Sequence, residues 1–255
     1  MLPRARKRFG QHFLTDAHYL GRIVAAIDPK PRDAMVEIGP GTGILTAPLA
    51  SVVERLHVVE IDRDLAAALR RSFPNGNVIV HEGDALDFDF TTLPSPLRVV
   101  GNLPYNVSTP ILFRIAEIAD RVKDCVFMLQ KEVVERMVAA PDTPDYGRLS
   151  VMLQYRFAME MMVRVPPGAF TPPPKVDSAL VHMVPLGDHR PRARDEALFA
   201  KIVMAAFSQR RKTLRNAVKA LVAPDAFAAT HIEATRRGET LSVAEFIALA
   251  NRAGT

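Results

Sequence analysis

Short runs of β-branched and other apolar residues alternate with longer stretches of helical periodicity from residue 34 to residue 185. A parallel sheet covered on both faces has this pattern, because each strand is buried and each crossover needs a helix. The sequence therefore predicts an α/β fold. The predicted buried strands are 34–38, 56–61, 77–81, 97–101 and 124–129, and the predicted helices between them are 43–52, 64–72 and 109–119.

Two further strand-like runs follow, at 159–165 and 178–184. The loop between them contains five prolines, three of them consecutive at 172–174. So short a connection suits neighbouring antiparallel strands better than another crossover helix. We therefore expect these two runs to form an antiparallel pair at one edge of the sheet.

The pattern changes after the last of these runs. A polar linker, 187–194, precedes apolar residues that recur at helical spacing up to Leu221. Ser242, with a glutamate three residues later, has the form of a capping box that begins a last helix. The sequence thus predicts a first domain over 1–186 and a small all-helical second domain over 187–255.

The chain of 255 residues has a net charge of +5, and its basic residues are concentrated at its two ends. Residues 187–255 contain 12 basic and 7 acidic side chains, whereas the long middle part is slightly acidic. The first nine residues form a basic arm that contributes Arg4, Arg6, Lys7 and Arg8. Basic ends on an acidic body predict a polyanionic partner, because each neutralised phosphate releases counterions.

The single cysteine excludes an intramolecular disulfide, which fits a reducing compartment. No apolar run approaches the ~18 residues of a membrane-spanning helix, and the basic N-terminus is not followed by the apolar segment of a secretory signal. The seven histidines show no spacing typical of metal ligands. We therefore expect a cytoplasmic protein that uses neither a membrane nor a metal.

The strongest local motif is E-I-G-P-G-T-G at 37–43, where a predicted strand gives way to a helix. Glycines there allow a tight turn and the close approach of a ligand to the backbone. The third glycine comes one residue too early for a dinucleotide site, which favours an adenosine ligand without a pyrophosphate. Glu60 at the end of the next strand suits ribose hydroxyls, and Asp84 after the third strand suits an adenine amine.

The segment N-L-P-Y at 102–105 follows the fourth predicted strand. An amine conjugated to a base ring is a poor nucleophile, because its lone pair is delocalised into the ring. The Asn102 side-chain oxygen and a backbone carbonyl near Leu103 can accept the two amine N–H bonds and hold the lone pair out of the plane. Pro104 biases Leu103 toward an extended backbone, and Tyr105 can stack on the base. No general base is needed, so the predicted catalysis is alignment and proximity.

Four segments in this order resemble the ribosomal RNA adenine dimethyltransferases, and in particular the small-subunit members of that family. They are F-G-Q-H-F-L at 9–14, E-I-G-P-G-T-G at 37–43, N-L-P-Y at 102–105 and F-T-P-P-P-K-V-D-S at 170–178, and F-S-Q-R-R-K-T-L at 207–214 extends the likeness into the helical domain. The resemblance implies a Rossmann-like seven-stranded sheet that uses S-adenosylmethionine, followed by a helical RNA-binding domain. It implies dimethylation at N6 of two adjacent adenosines in a hairpin loop near the 3′ end of 16S rRNA, during biogenesis of the small ribosomal subunit.

The resemblance also assigns site residues. S-adenosylmethionine would be the methyl donor and S-adenosylhomocysteine the product, and the target base would lie between the rings of Tyr105 and Phe170. His12 stands where asparagine is frequent in the family. The implied cofactor contacts are Gln11, His12, Leu14, Gly39, Gly41, Glu60, Asp84 and Asn102, and the implied catalytic residues are Asn102, Leu103, Pro104, Tyr105 and Phe170.

Arg211, Arg215 and Lys219 recur at intervals of four residues, with Lys212 adjacent, and so predict a basic stripe on one helix. We expect this stripe and the basic arm to contact the RNA backbone, and the protein to act as a monomer. Two alternatives remain: a large-subunit rRNA adenine methyltransferase of the macrolide-resistance type, and a ribosome assembly factor that acts mainly by binding. A small-molecule methyltransferase is weaker, because it would not need the basic ends.

Overall fold

The structure is a computed structural model, and it describes residues 12–188, 190–209 and 211–254. The strands in these residues are β1 (Phe13–Leu14), β2 (Ala34–Ile38), β3 (Leu56–Glu60), β4 (Val78–Glu82), β5 (Leu97–Asn102), β6 (Val122–Gln130), β7 (Phe157–Val165), β8 (Phe170–Thr171) and β9 (Ser178–Pro185). The α-helices are α1 (Ala17–Ile27), α2 (Thr46–Ala50), α3 (Arg63–Ser72), α4 (Ser108–Glu117), α5 (Lys131–Val138), α6 (Arg148–Gln154), α7 (Glu196–Ser208), α8 (Leu214–Val218), α9 (Pro224–Ala229) and α10 (Val243–Ala253).

Seven strands form one sheet in the order β4-β3-β2-β5-β6-β9-β7. The strands from β4 to β6 pair in parallel, whereas β9 runs antiparallel to β6. The predicted α/β class and seven-stranded sheet are therefore confirmed. The strand order reverses between β2 and β5, and such a reversal opens a crevice outside the carboxyl ends of the strands, where sheets of this kind bind ligands.

Apolar side chains pack the sheet against helices. Met35, Val36 and Ile38 of the central strand β2 are at most 2% exposed. Side chains of β2, β3, β5 and β6 form one core with α1 and α2, and burying each aliphatic side chain contributes about 1.5–3 kcal/mol. Asp62 begins α3 by accepting a hydrogen bond from the Asp64 backbone N–H.

Every predicted strand lies within two residues of an observed one at each end. The runs expected to form an edge pair, β7 and β9, are neighbours at one edge of the sheet. The predicted helix 43–52 is shorter in the structure, as α2. A separate two-stranded sheet of β1 and β8 lies outside the predictions, because strands of two residues have no periodicity to detect.

The chain folds as two compact units. The first contains the described residues up to Val134 together with Ala158–Pro185, and the second contains Glu135–Phe157 with the residues from Leu186 onward. The second unit differs from the predicted domain 187–255 by including the earlier segment. The reason is packing, since Tyr146 and Val151 of that segment belong to the apolar core formed by the later helices. No helix in the described part of the chain has the length and apolar character that crossing a bilayer needs.

Candidate active site

A cleft lies at the carboxyl ends of β2, β3, β4 and β5, all within the first unit. Its empty space is about 1220 Å³, including open solvent at the mouth. The segments that follow the four strands contribute the glycine turn after β2, Glu60, Asp84 and the N-L-P-Y segment. The structure therefore brings Gly39 and Asn102, which are 63 positions apart in the sequence, into the same cleft.

The glycine turn depends on backbone angles that other residues rarely adopt. Gly39 and Gly41 have φ of +67° and +59°, in the left-handed region that glycine enters without a steric penalty. The Gly39 N–H donates to the Val59 carbonyl over 3.0 Å, which ties the turn to β3. A Cβ atom on Gly41 would lie 3.2 Å from the ring of Phe13. The turn thus needs glycine both for its angles and for the space beside it.

Two buried carboxyl groups stand beside the turn. Glu60 is 4% exposed and accepts backbone N–H bonds from Gly41 at 3.0 Å and from Asp62 at 2.8 Å. Glu37 is 1% exposed and accepts a bond of 2.7 Å from the Thr46 hydroxyl. Burial, with the nearby Glu60 charge, raises the pKa of Glu37 to about 8, and burial likewise raises the pKa of Glu60.

Asp84 occupies the third strand end. It lines the cleft, and one carboxylate oxygen accepts the Leu86 backbone N–H at 2.9 Å. A carboxylate has two oxygens and about four acceptor sites, so the same group can also accept from a ligand amine. The predicted acids Glu60 and Asp84 therefore lie on successive strand ends of one cleft.

The N-L-P-Y segment is fixed by bonds to other parts of the first unit. The Asn102 side-chain nitrogen donates to the His12 carbonyl over 3.1 Å, so its amide oxygen is the atom that can accept from a ligand. The Leu103 N–H donates to the Met128 carbonyl of β6 over 3.1 Å. Pro104 and Tyr105 complete this wall of the cleft.

The His12 side chain is also held in place on this wall of the cleft. Its Nδ1 donates to the Pro172 carbonyl over 2.8 Å, and its ring centre lies 5.4 Å from that of Tyr105. Leu14 also lines the cleft and is 4% exposed. His12 and Leu14 therefore both line the cleft, and Gln11 lies outside the described residues.

Phe170 differs from its predicted position opposite Tyr105. It forms β8, pairs with Leu14 of β1, and is 3% exposed within the apolar core. It is not among the residues that line the cleft. The physical reason is its strand pairing, which directs the ring into the core. The structure therefore does not place the Phe170 ring in the cleft wall opposite Tyr105.

The four basic residues predicted to form a stripe are exposed, but they do not share a helix. α8 has only five residues, Arg211 and Lys212 precede it, and Lys219 caps its end. The prediction of one continuous basic helix is wrong, because Thr213 is extended and interrupts the periodicity. The residues concerned are Arg211, Lys212, Arg215 and Lys219, and the predicted RNA contacts Arg4, Arg6, Lys7 and Arg8 lie outside the described residues.

Sequence reasoning assigned no role to three residues that shape the site. Glu37 lines the cleft, and an acid inside an otherwise apolar strand is a signal that the motif already contained. Ser178 contacts the Tyr105 hydroxyl, and Gly101 lies against the Ile38 carbonyl. No sequence pattern shows these two contacts, because they join distant segments. In the described ranges, no three His, Cys, Asp or Glu side chains form a group that could hold a metal ion.

The sheet with its reversed β9 strand, together with the glycine turn and the acids at the next strand ends, defines a Rossmann-like methyltransferase. The chain belongs to the ribosomal RNA adenine dimethylase family, whose family model matches residues 3–254. This confirms the family that the sequence motifs predict.

Relatives agree along almost the whole chain. The chain is 58% identical over 248 residues to the Ribosomal RNA small subunit methyltransferase A of Aromatoleum aromaticum, covering 97% of this chain and 94% of that protein. It is 57% identical over 251 residues to the protein of the same description from Laribacter hongkongensis, covering 98% and 96%.

Solved structures show the same fold. A dimethyladenosine transferase from Plasmodium falciparum superposes with a TM-score of 0.79 at 26% identity, covering 93% of this chain and 96% of the other. The 23S rRNA methyltransferase ErmE superposes with a TM-score of 0.71 at 26% identity, covering 95% and 100%. The likeness to both therefore includes the helical part as well as the sheet.

Proposed function

We propose that the protein transfers methyl groups from S-adenosylmethionine to N6 of two adjacent adenosines in a 3′-terminal hairpin loop of 16S rRNA, within small ribosomal subunits under assembly. One observation carries the proposal. The side-chain oxygen of Asn102 is free to accept an amine, at a strand end that adjoins both a glycine turn and a tyrosine ring. We place the protein in the bacterial cytoplasm as a monomer.

The chain's residues fit S-adenosylmethionine. The positive-φ glycines Gly39 and Gly41 allow a ligand to approach the backbone, and Glu60 and Asp84 supply carboxylates at the next strand ends. Glu37 adds a buried acid in the same cleft. Three acids suit a cofactor that carries ribose hydroxyls, an adenine amine and positive charge. His12 and Leu14 would lie at its methionine part. When bound, the cofactor supplies an electrophilic methyl group on a sulfonium.

The protein's part in the reaction is to hold the amine in line. The Asn102 amide is fixed by its bond to the His12 carbonyl, so it accepts an amine N–H without having to reorient. The backbone carbonyl near Leu103 takes the second N–H, and Tyr105 stacks on the base. The methylated amine is acidic enough to lose its proton to water. Alignment of this kind is worth up to about 7–11 kcal/mol in well-oriented systems.

The basic residues supply the RNA contacts in this proposal. Arg211, Lys212, Arg215 and Lys219 are exposed and can each neutralise a phosphate. Replacing all four by alanine should reduce the slope of log affinity against log salt by about 2 to 3, from roughly 0.7 per contact on single strands. Filter binding of small subunits at several salt concentrations measures this slope, and an unchanged slope would remove these residues from the interface.

The small-subunit substrate is favoured by identity. The relatives at 57–58% identity are named small-subunit methyltransferases, whereas ErmE, named a 23S rRNA methyltransferase, is 26% identical. Substrate choice depends on surface residues more than on the fold. The higher identity therefore supports 16S rRNA, and the large-subunit substrate becomes an outcome of the test.

Asn102→Ala tests the proposal directly. The variant should methylate small subunits that lack the modification about 100-fold more slowly, with dimethyladenosine measured by mass spectrometry after nuclease digestion. Calorimetry should still show S-adenosylmethionine binding. Asn77→Ala is the matched control, because the Asn77 amide donates a hydrogen bond of 2.8 Å to the Ala50 carbonyl and neither residue lines the cleft. The methylation rate of this variant should stay normal.

The other outcomes separate the rival functions. Full activity of Asn102→Ala would contradict the assigned role of Asn102. If the wild-type protein bound small subunits and produced no dimethyladenosine, an assembly factor would be favoured. Methylation of large-subunit RNA alone would favour the alternative substrate.

A further inference from the structure

The side chain of Tyr105 is tied to a strand on the other side of the cleft wall. Its hydroxyl lies 2.6 Å from the hydroxyl of Ser178, a residue 73 positions later in the chain. Ser178 begins β9, has no solvent exposure, and pairs with Gln130 at the end of β6. The contact therefore joins a cleft-lining ring to the rigid part of the sheet.

The backbone around Tyr105 is held by separate bonds. The Tyr105 carbonyl accepts a bond of 3.2 Å from the Ser108 hydroxyl, and the Leu103 N–H donates to the Met128 carbonyl. These bonds fix the position of the Tyr105 backbone. They do not fix the orientation of the ring, which still has two rotatable bonds. Among the described contacts of Tyr105, the bond at its tip and the ring contact with His12 set the ring's direction.

The bond to Ser178 is also chemically stable near neutral pH. Burial raises the pKa of the Tyr105 hydroxyl, so the group stays protonated and can donate or accept. Breaking the bond leaves a hydroxyl oxygen in a buried place without this partner, which is unfavourable. The ring would then turn to find another partner, and its stacking face would move with it.

We propose that Ser178 is a positioning residue for the target base, because its buried hydroxyl fixes the tip of the Tyr105 side chain and so the direction in which the stacking ring projects. The proposal rests on the function proposed above. Ser178 has no contact with the cofactor side of the cleft, since it is not among the lining residues. Its loss should therefore affect capture of the base and leave cofactor affinity unchanged.

Ser178→Ala should raise the KM for small subunits by up to about tenfold, the effect of one net hydrogen bond. The dissociation constant for S-adenosylmethionine should stay the same. Tyr105→Phe should give the same KM, because it removes the other half of the bond and keeps the ring. The double variant should be no worse than either single variant, since a shared interaction is lost only once.

Two further variants separate positioning from simple loss of packing. Ser178→Thr keeps the hydroxyl and should restore the KM. Ser150→Ala is the matched control, because Ser150 is equally buried and its hydroxyl donates to the Arg136 carbonyl within the second unit. This control should leave the KM unchanged.

A hairpin oligoribonucleotide with 2-aminopurine at the target position reports stacking directly. Its fluorescence should change on binding to the wild-type protein and change less with Ser178→Ala or Tyr105→Phe. Wild-type KM and fluorescence for Ser178→Ala, or additive effects in the double variant, would overturn the proposal. If Ser178→Ala does not fold, Tyr105→Phe decides the matter through the same two readouts. Failure of the wild-type protein to methylate would instead remove the proposed function.

Discussion

The acids at the amino ends of the parallel strands (the amino edge) and those at the carboxyl ends (the carboxyl edge) have different kinds of partners. At the amino edge, Asp33 and Asp124 contact the guanidinium of Arg98 at 2.6 and 2.8 Å. At the carboxyl edge, Glu37 and Glu60 accept only hydroxyl and backbone N–H bonds, and no lysine or arginine in the described ranges pairs with them. The amino edge pairs its acids with cations, whereas the carboxyl edge gives Glu37 and Glu60 neutral hydrogen-bond donors.

Proton affinities follow this difference. Burial alone would raise the pKa of Asp33, but hydrogen bonds from Arg98 and Lys123 hold it below its usual value. Burial raises the pKa of Glu37 to about 8, and the neighbouring acid adds to the effect. Glu37 is also more deeply buried than Asp33, so deeper burial and the missing cation together raise the pKa of Glu37 relative to that of Asp33.

The contrast separates residues that stabilise the fold from residues that serve binding. Removing one partner of a buried ion pair strongly destabilises the folded state. A buried acid without a cation destabilises the folded state, and such groups cluster at functional sites. The carboxyl edge thus combines unpaired acids with a glycine turn, where a positively charged ligand would be favoured.

Breaking the amino edge should have the largest effect. Arg98→Met leaves Asp124 without its guanidinium partner and leaves Asp33 with Lys123 alone, so it should lower the free energy of unfolding by about 3–5 kcal/mol, measured by urea denaturation at pH 7. Lys30→Ala is the control, because the Lys30–Asp28 pair is 2.6 Å apart but well exposed and should contribute less than about 1 kcal/mol. Equal effects of the two variants would contradict the assigned role of the amino edge.

The carboxyl edge was largely predictable, and the amino edge was not. Gly39, Glu60 and Asn102 follow apolar strands in the sequence, so a parallel sheet must bring them to one edge. Arg98 and Asp33 are 65 positions apart, and an arginine inside a strand does not show which acid it will meet. Contacts between distant segments carry no periodicity, and the same limit applies to the Tyr105–Ser178 bond.

Two differences between prediction and structure have the same kind of cause, a hydrogen bond to a distant segment. Phe170 pairs with β1, a partner that a two-residue strand does not reveal. The helical periodicity through the basic residues near Arg211 is interrupted, because the Leu214 and Arg215 N–H groups donate to carbonyls at Arg236 and Ala234. In both places tertiary hydrogen bonds decide the backbone, and residue pattern alone does not contain them.

Replacing Glu37 by a neutral side chain should make the stability of the protein depend less on pH. The folded-state pKa of Glu37 is about 8, above the ordinary value near ~4.3 of an unfolded chain. Between these values the folded state binds a proton that the unfolded state has lost, so stability falls as pH rises. The wild-type protein should therefore lose stability relative to Glu37→Gln from pH 5 to pH 8, by up to about 1.4 kcal/mol per pH unit.

Urea denaturation at four pH values, without cofactor, measures this difference. Glu117→Gln is the control, because Glu117 is exposed beside Arg114 and should give a difference that hardly changes with pH. A flat difference for Glu37→Gln would mean that Glu37 is ionised in the folded state, and the contrast between the edges would fail.

The smallest expected effect concerns the width of the carboxyl edge. A Cβ atom on Gly101 would lie 2.4 Å from the Ile38 carbonyl oxygen, so Gly101→Ala must push β5 away from β2 between Asn102 and the glycine turn. The expected loss is about 1–3 kcal/mol of unfolding free energy, with weaker S-adenosylmethionine binding in calorimetry. Gly83 lines the same cleft, and a Cβ atom added there has no other atom within 4 Å. Gly83→Ala should therefore change neither the free energy of unfolding nor the binding. Equal binding by the two variants would show that the spacing of β2 and β5 does not control the cleft.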